Sequence, residues 1–149
     1  LRAMFEDTRQ RMNLALETLI AALDGLDGQL DEAEAPGEMT LREQLSHLLG
    51  PADRDLPALL RTFSAANPPR IAPLPDGLPC LTAERERTTL AEFADALRLL
   101  HRRVQLELGT LPPAVLERRR ARIPEWEAFL GTDEVPLETF VDVFSWPPV

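Results

Sequence analysis

Apolar residues return at three- and four-residue steps along most of the chain, a spacing that gathers them on one face of an α-helix. From residue 3 to 24 the stripe is Phe5, Met12, Leu16, Leu19, Ile20 and Leu23, and Gly25 and Gly28 then stop the helix. An acidic turn, DGLDGQLDEAEAPGE, leads to Thr40 followed by Glu43. That pair reads as a capping box: the Thr hydroxyl accepts a free backbone N–H while the Glu side chain accepts another, so helix two is predicted to begin there. Its stripe is Leu41, Leu45, Leu48, Ala52, Leu56, Leu59 and Phe63, with Pro51 and Pro57 inside it. Each proline removes an amide donor and is expected to kink or interrupt the helix. Thr89 with Glu92 forms a second capping box and opens helix three, whose stripe is Leu90, Phe93, Ala94, Leu97, Leu100, Val104 and Leu108 before Gly109 ends it. Pro112 and Pro113 restart a short polar helix through LERRRAR, and Pro124 opens PEWEAFLG. A last helix is predicted from Pro136 to about Trp146, carrying Leu137, Phe140, Val141 and Phe144.

No strand-like alternation exceeds four residues, so the pattern predicts an all-α chain. Residues 64 to 87 differ from the rest. Pro68, Pro69, Pro73, Pro75 and Pro79 exclude regular helix, and the segment reads as an extended, partly polyproline crossover between helices two and three. Three long helices and a fourth make a four-helix bundle with one long crossover the natural architecture. The fourth helix would reach only roughly 16 Å, against more than about 30 Å for its neighbours, at ~1.5 Å per residue. Half of its groove is therefore expected to lie open, either because the chain stops inside that helix or because something else covers the gap.

Composition narrows the possible functions. The chain has 149 residues, a one-domain length, so residues 1–149 are expected to form a single domain with one real core. Its net charge of −9 opposes phosphate binding and excludes a nucleic-acid partner. Charge interrupts every apolar stretch, which excludes a membrane span. The opening residues, LRAMFEDTRQR, lack the apolar core of a signal peptide. One cysteine forms no internal disulfide and no cysteine-based zinc cage, and a reducing, cytoplasmic setting is expected. A metal site must draw on two histidines and on carboxylates.

On a helical wheel His47 points roughly 150° away from the helix-two stripe, toward solvent or a second packing face. His101 lies within about 20° of Leu90 and Leu108, facing the core, where a packed, hydrogen-bonded role is expected. Burial without a partner would lower its pKa. Cys80, between loop prolines, reads as structural or incidental. Arg118, Arg119, Arg120 and Arg122, near Arg102 and Arg103, read as a solvated face paired with carboxylates, with anion binding as the alternative. The acidic stretch from Asp24 to Glu38 lacks EF-hand spacing. Trp126, Trp146, Phe129, Phe140 and Phe144 are expected in the core. The sequence has no phosphate-cradling glycine loop, nucleophile elbow or HExxH pattern.

The segment PGEMTLREQLSHLLGPADRDL resembles the start of the second helix in the DinB/YfiT-like superfamily of four-helix bundles. The matching positions are Pro36, Gly37, Thr40, Arg42 and His47, with Met39 where that family carries a tryptophan. The layout is similar too, with the final helix entered through VPLETFVDVF. The resemblance implies a DinB-like bundle in which His47 is one of three ligands to a divalent metal, commonly nickel or zinc. It implies a second and third ligand from an H-x-x-x-H pair on the fourth helix, and a thiol-dependent transferase or a hydrolase acting on a small-molecule or thiol substrate. This chain departs where the pair should fall, reading Trp146, Pro147, Pro148 and Val149. The triad is incomplete, and the missing ligands are expected beyond residue 149 or not at all. The alternative is a metal-free bundle that binds a small apolar ligand or self-associates as a homodimer in a stress response, its partner covering the open groove.

Overall fold

A computed structural model describes residues 2–75 and 77–142. Among the described residues, seven α-helices and two short strands follow one another. They are α1 (Arg2–Ala22), α2 (Leu41–Leu49), α3 (Leu56–Arg61), α4 (Leu90–Gly109), α5 (Pro113–Arg118), β1 (Arg120–Arg122), α6 (Glu127–Leu130), β2 (Glu134–Pro136) and α7 (Leu137–Asp142). The first and third predicted helices are α1 and α4. The second is two helices, as its prolines require: Gly50 (φ 78°) and Pro51 end α2, and α3 carries Pro57 in its first turn, where a missing amide donor costs least. The part of the last predicted helix from Val143 to Trp146 lies outside the described residues.

The chain divides into two compact units, each assembled from separated segments. One comprises residues 16–55 and 74–102. Its core joins Leu16 and Leu23 of α1, Leu30, Leu45 of α2, and Leu90, Phe93 and Leu97 of α4, with Leu19, Ile20, Leu26, Leu41 and Leu49 packed against them. Leu16, Leu19, Ile20, Leu23, Leu41, Leu45, Leu90, Phe93 and Leu97 are predicted stripe positions, whereas Leu26, Leu30 and Leu49 lie outside the predicted stripes and Leu48, expected in one, is exposed.

The other unit comprises residues 1–15, 56–73 and 103–149. Leu60, Phe63, Leu108, Ile123, Val135, Leu137 and Phe140 are buried there. Phe140 packs against Phe63 at 5.2 Å and stacks on Trp126 at 5.7 Å between ring centroids, while Phe129 stays exposed. The two short strands leave the fold mostly helical, and β1 corrects the expectation of a helix through LERRRAR. Arg120, Ala121 and Arg122 pair antiparallel with Pro136, Val135 and Glu134. Three-residue strands are too short for alternation to register, and Ala121 and Val135, the buried centre of each, are single apolar positions. The crossover joins the ladder: Ile71 N donates to Arg122 O (2.9 Å), Arg122 N to Pro69 O (2.8 Å), and Ser64 N to Arg120 O (3.0 Å).

The arginine run is committed to this framework. Arg118 and Arg120 donate to carbonyls one turn back (3.1 and 2.7 Å), Arg119 to Phe63 O (3.2 Å), and Arg122 to Asp133 and Glu134 (3.1 and 3.3 Å). Among the described residues of the run from Arg118 to Arg122, Arg122 has the expected carboxylate pairing. The others cap backbone.

Candidate functional site

Nine residues make a helix too short to persist alone, so α2 depends on what holds its ends. At the first turn the predicted capping box is complete. Glu43 N donates to Thr40 Oγ1 (3.2 Å) and Thr40 N donates to Glu43 Oε2 (2.8 Å), with Thr40 extended at φ −66°, ψ 163°.

Two residues after the cap, Arg42 reaches in two directions. Nε and Nη2 donate to the two carboxylate oxygens of Asp31 (2.7 and 3.3 Å), and Nη1 donates to the carbonyls of Arg85 (2.9 Å) and Thr88 (2.6 Å). The guanidinium beside Asp31 holds that carboxyl below the usual carboxylate range. Arg42 thereby fastens the start of α2 to the end of the crossover. The second capping box, Thr89 with Glu92, stands just beyond that point at the start of α4 (2.9 and 3.2 Å).

His47 occupies the last turn of α2 and is half-buried. Its Nδ1 lies 2.6 Å from Leu78 O in the crossover. A carbonyl only accepts, so Nδ1 carries a proton, and in the neutral ring the lone pair lies on Nε2. The second packing face predicted for His47 is thus the crossover. An imidazole that donates one ring N–H to a carbonyl has a fixed tautomer and plane, which is how metal-ligating histidines are commonly held.

The other predicted candidates separate from His47 in role. His101 is half-buried on α4, and burial without a partner lowers its pKa, as expected. The hydrogen bond expected for it is missing at Nδ1, which is buried without a partner, as is Ser46 Oγ on α2. Cys80 is half-buried in the crossover at φ 53°, a conformation side chains other than glycine rarely adopt. Its carbonyl takes a bond from Arg85 Nη1 (2.9 Å). Leu78 and Arg85 escaped sequence reading altogether. A backbone carbonyl has no side-chain signature, and Arg85 sits in the charged run ERER, where nothing marks one arginine from the next.

Among the described residues, no three His, Cys, Asp or Glu side chains gather closely enough to hold a metal ion. They do not by themselves build the triad that the resemblance implies. Among the same residues, no helix is long and apolar enough to cross a membrane.

No protein-family model matches the chain, and no curated protein matches it. Among solved structures it is similar to YfiT from Bacillus subtilis, described as a probable metal-dependent hydrolase with an unusual four-helix bundle topology. The two are 19% identical, with a TM-score of 0.70 over 95% of this chain and 78% of YfiT. The chain therefore has the four-helix-bundle fold of YfiT, and the likeness carried by Pro36, Gly37, Thr40, Arg42 and His47 holds at the level of the fold.

Proposed function

We propose that this protein is a divalent-metal-dependent enzyme of hydrolase or thiol-transferase type in which His47 supplies one metal ligand through Nε2. The bond from His47 Nδ1 to Leu78 O carries the reading, because in the neutral ring it puts the proton on Nδ1 and fixes the direction of the Nε2 lone pair. The fold shared with YfiT, itself described as a probable metal-dependent hydrolase, supports the same class. Nickel and zinc both suit an imidazole ligand. The remaining ligands come from outside the described residues.

The test is calorimetric. Chelator-treated protein is titrated with Ni²⁺ and, separately, Zn²⁺, alongside His47→Ala. One ion per chain is expected, with binding lost in the variant. Absence of stoichiometric binding in the wild type, or equal binding by His47→Ala, refutes the assignment.

A further inference from the structure

The last turn of a helix leaves carbonyls without intrahelical donors, and a cation placed there satisfies them and complements the helix dipole. In α2 that cation comes from the far side of the crossover. Arg85, in the 3-10 turn Arg85–Arg87, directs Nη1 at three carbonyls: Gly50 O (2.5 Å), Cys80 O (2.9 Å) and Ser46 O (3.3 Å). Two of these belong to the end of α2 and the third to the crossover, two residues after the carbonyl that accepts from His47. Arg85 is itself anchored, its amide donating to Thr82 Oγ1 (3.1 Å) and its carbonyl accepting from Arg42 (2.9 Å). The segment from Leu78 to Cys80 is thus held to the last turn of α2 at both ends, by His47 at one and Arg85 at the other.

We propose that Arg85 is the positioning residue for His47: by fixing the Cys80 carbonyl against the end of α2 it places Leu78 O where it holds His47 in the Nδ1–H tautomer. The value of this tautomer to metal binding rests on the function proposed above. The placement itself does not. Cys80 shows how firmly the segment is held. A non-glycine residue at φ 53° persists only where its surroundings enforce it, and the Arg85 bond to the Cys80 carbonyl is such an enforcement. Without that bond Cys80 can return to negative φ, which swings the neighbouring peptides and carries Leu78 O off the His47 ring. The imidazole then returns to mixed tautomers, and the lone pair at Nε2 is no longer reserved.

Two readouts separate this from a merely structural role. Nitrogen-15 NMR of the imidazole rings reports the tautomer directly, and the chain's two histidines make a simple spectrum. Zinc titration by calorimetry reports the consequence. Arg85→Met is expected to erase the Nδ1–H signature of His47 and to weaken Zn²⁺ binding about 10- to 100-fold, the usual loss when a ligand's outer partner is removed. Arg85→Lys should restore most of both, since all three carbonyls converge on one nitrogen that an ammonium can replace. If the methionine variant does not fold, Arg85→Gln, polar but too short to span the three carbonyls, takes its place. A folded Met or Gln variant that keeps the signature and the zinc affinity overturns the proposal, as does a Lys variant no better than Met. If the wild type binds no zinc yet Arg85→Met erases the signature, the positioning role stands and the metal reading falls.

Discussion

Removing the Arg42 guanidinium tests how the start of α2 is held. Arg42→Met keeps the aliphatic stem and deletes four donor contacts, two to Asp31 and two to the carbonyls of Arg85 and Thr88. The two pairs are not equivalent. The Asp31 side chain is 77% exposed, so that ion pair works through water and contributes little. The Arg42 side chain is only 12% exposed, and its bonds to carbonyls are charge-assisted, each contributing about 1.5–3 kcal/mol. Truncation lets those carbonyls recover some water, so roughly 2–4 kcal/mol is the expected loss for the pair. In a chain of 149 residues this lowers the melting temperature by about 5–15 °C. Guanidinium denaturation followed by circular dichroism measures it, with Asp31→Asn as the control. The control should move the midpoint little at neutral pH. The Asp31 carboxyl is held below its ordinary pKa in the folded state, so its contribution is present above pH ~4 and is lost as the pH falls through the folded value. An Asp31→Asn loss as large as that of Arg42→Met would show that the ion pair, not the carbonyl clamp, fastens the helix. An Arg42→Met loss below about 1 kcal/mol would show that neither does.

Other outcomes follow from the same geometry. Thr40→Ala removes the cap of α2 and should cost about 1 kcal/mol, with Thr40→Ser close to wild type in thermal melts and the Thr40→Ala, Glu43→Ala pair less than additive. His101 should make the protein acid-sensitive. Its folded pKa lies below the ordinary 6.5, so the unfolded chain binds the proton first; stability is flat above pH ~7 and declines from about pH 6.5 down to the folded value. His101→Gln should abolish that decline in denaturation curves taken from pH 8 to 5. Cys80→Gly relieves an unfavourable φ at the expense of a more flexible unfolded chain, a net gain of up to about 1 kcal/mol in chemical denaturation; a loss would show that Cys80 is not strained.

What the sequence made legible followed from local signals. The two capping boxes put the starts of α2 and α4 at the observed residues, because a cap is decided within four positions. Pro51 and Pro57 announced the break between α2 and α3 for the same reason. The strands were hidden by their length, and the arginine run by the generality of its chemistry: a guanidinium serves carboxylates and carbonyls alike. At the candidate site the histidine was visible through a short motif, while its setting was not. Leu78 and Arg85 lie 31 and 38 positions from His47, and they act through a main-chain carbonyl and through an arginine indistinguishable from its neighbours.

The dependence of α2 on distant clamps also concerns the free chain in solution. A nine-residue helix held by residues 31, 78, 85 and 88 does not survive as an excised peptide, so His47 is an oriented group only while the crossover is docked. Whatever binds the docked His47 and not the undocked one must, by mass action, hold the crossover closed. If His47 is a ligand as proposed, proteolysis between residues 77 and 82 is expected to slow as the metal saturates, a gauge of occupancy at a ring in another part of the sequence.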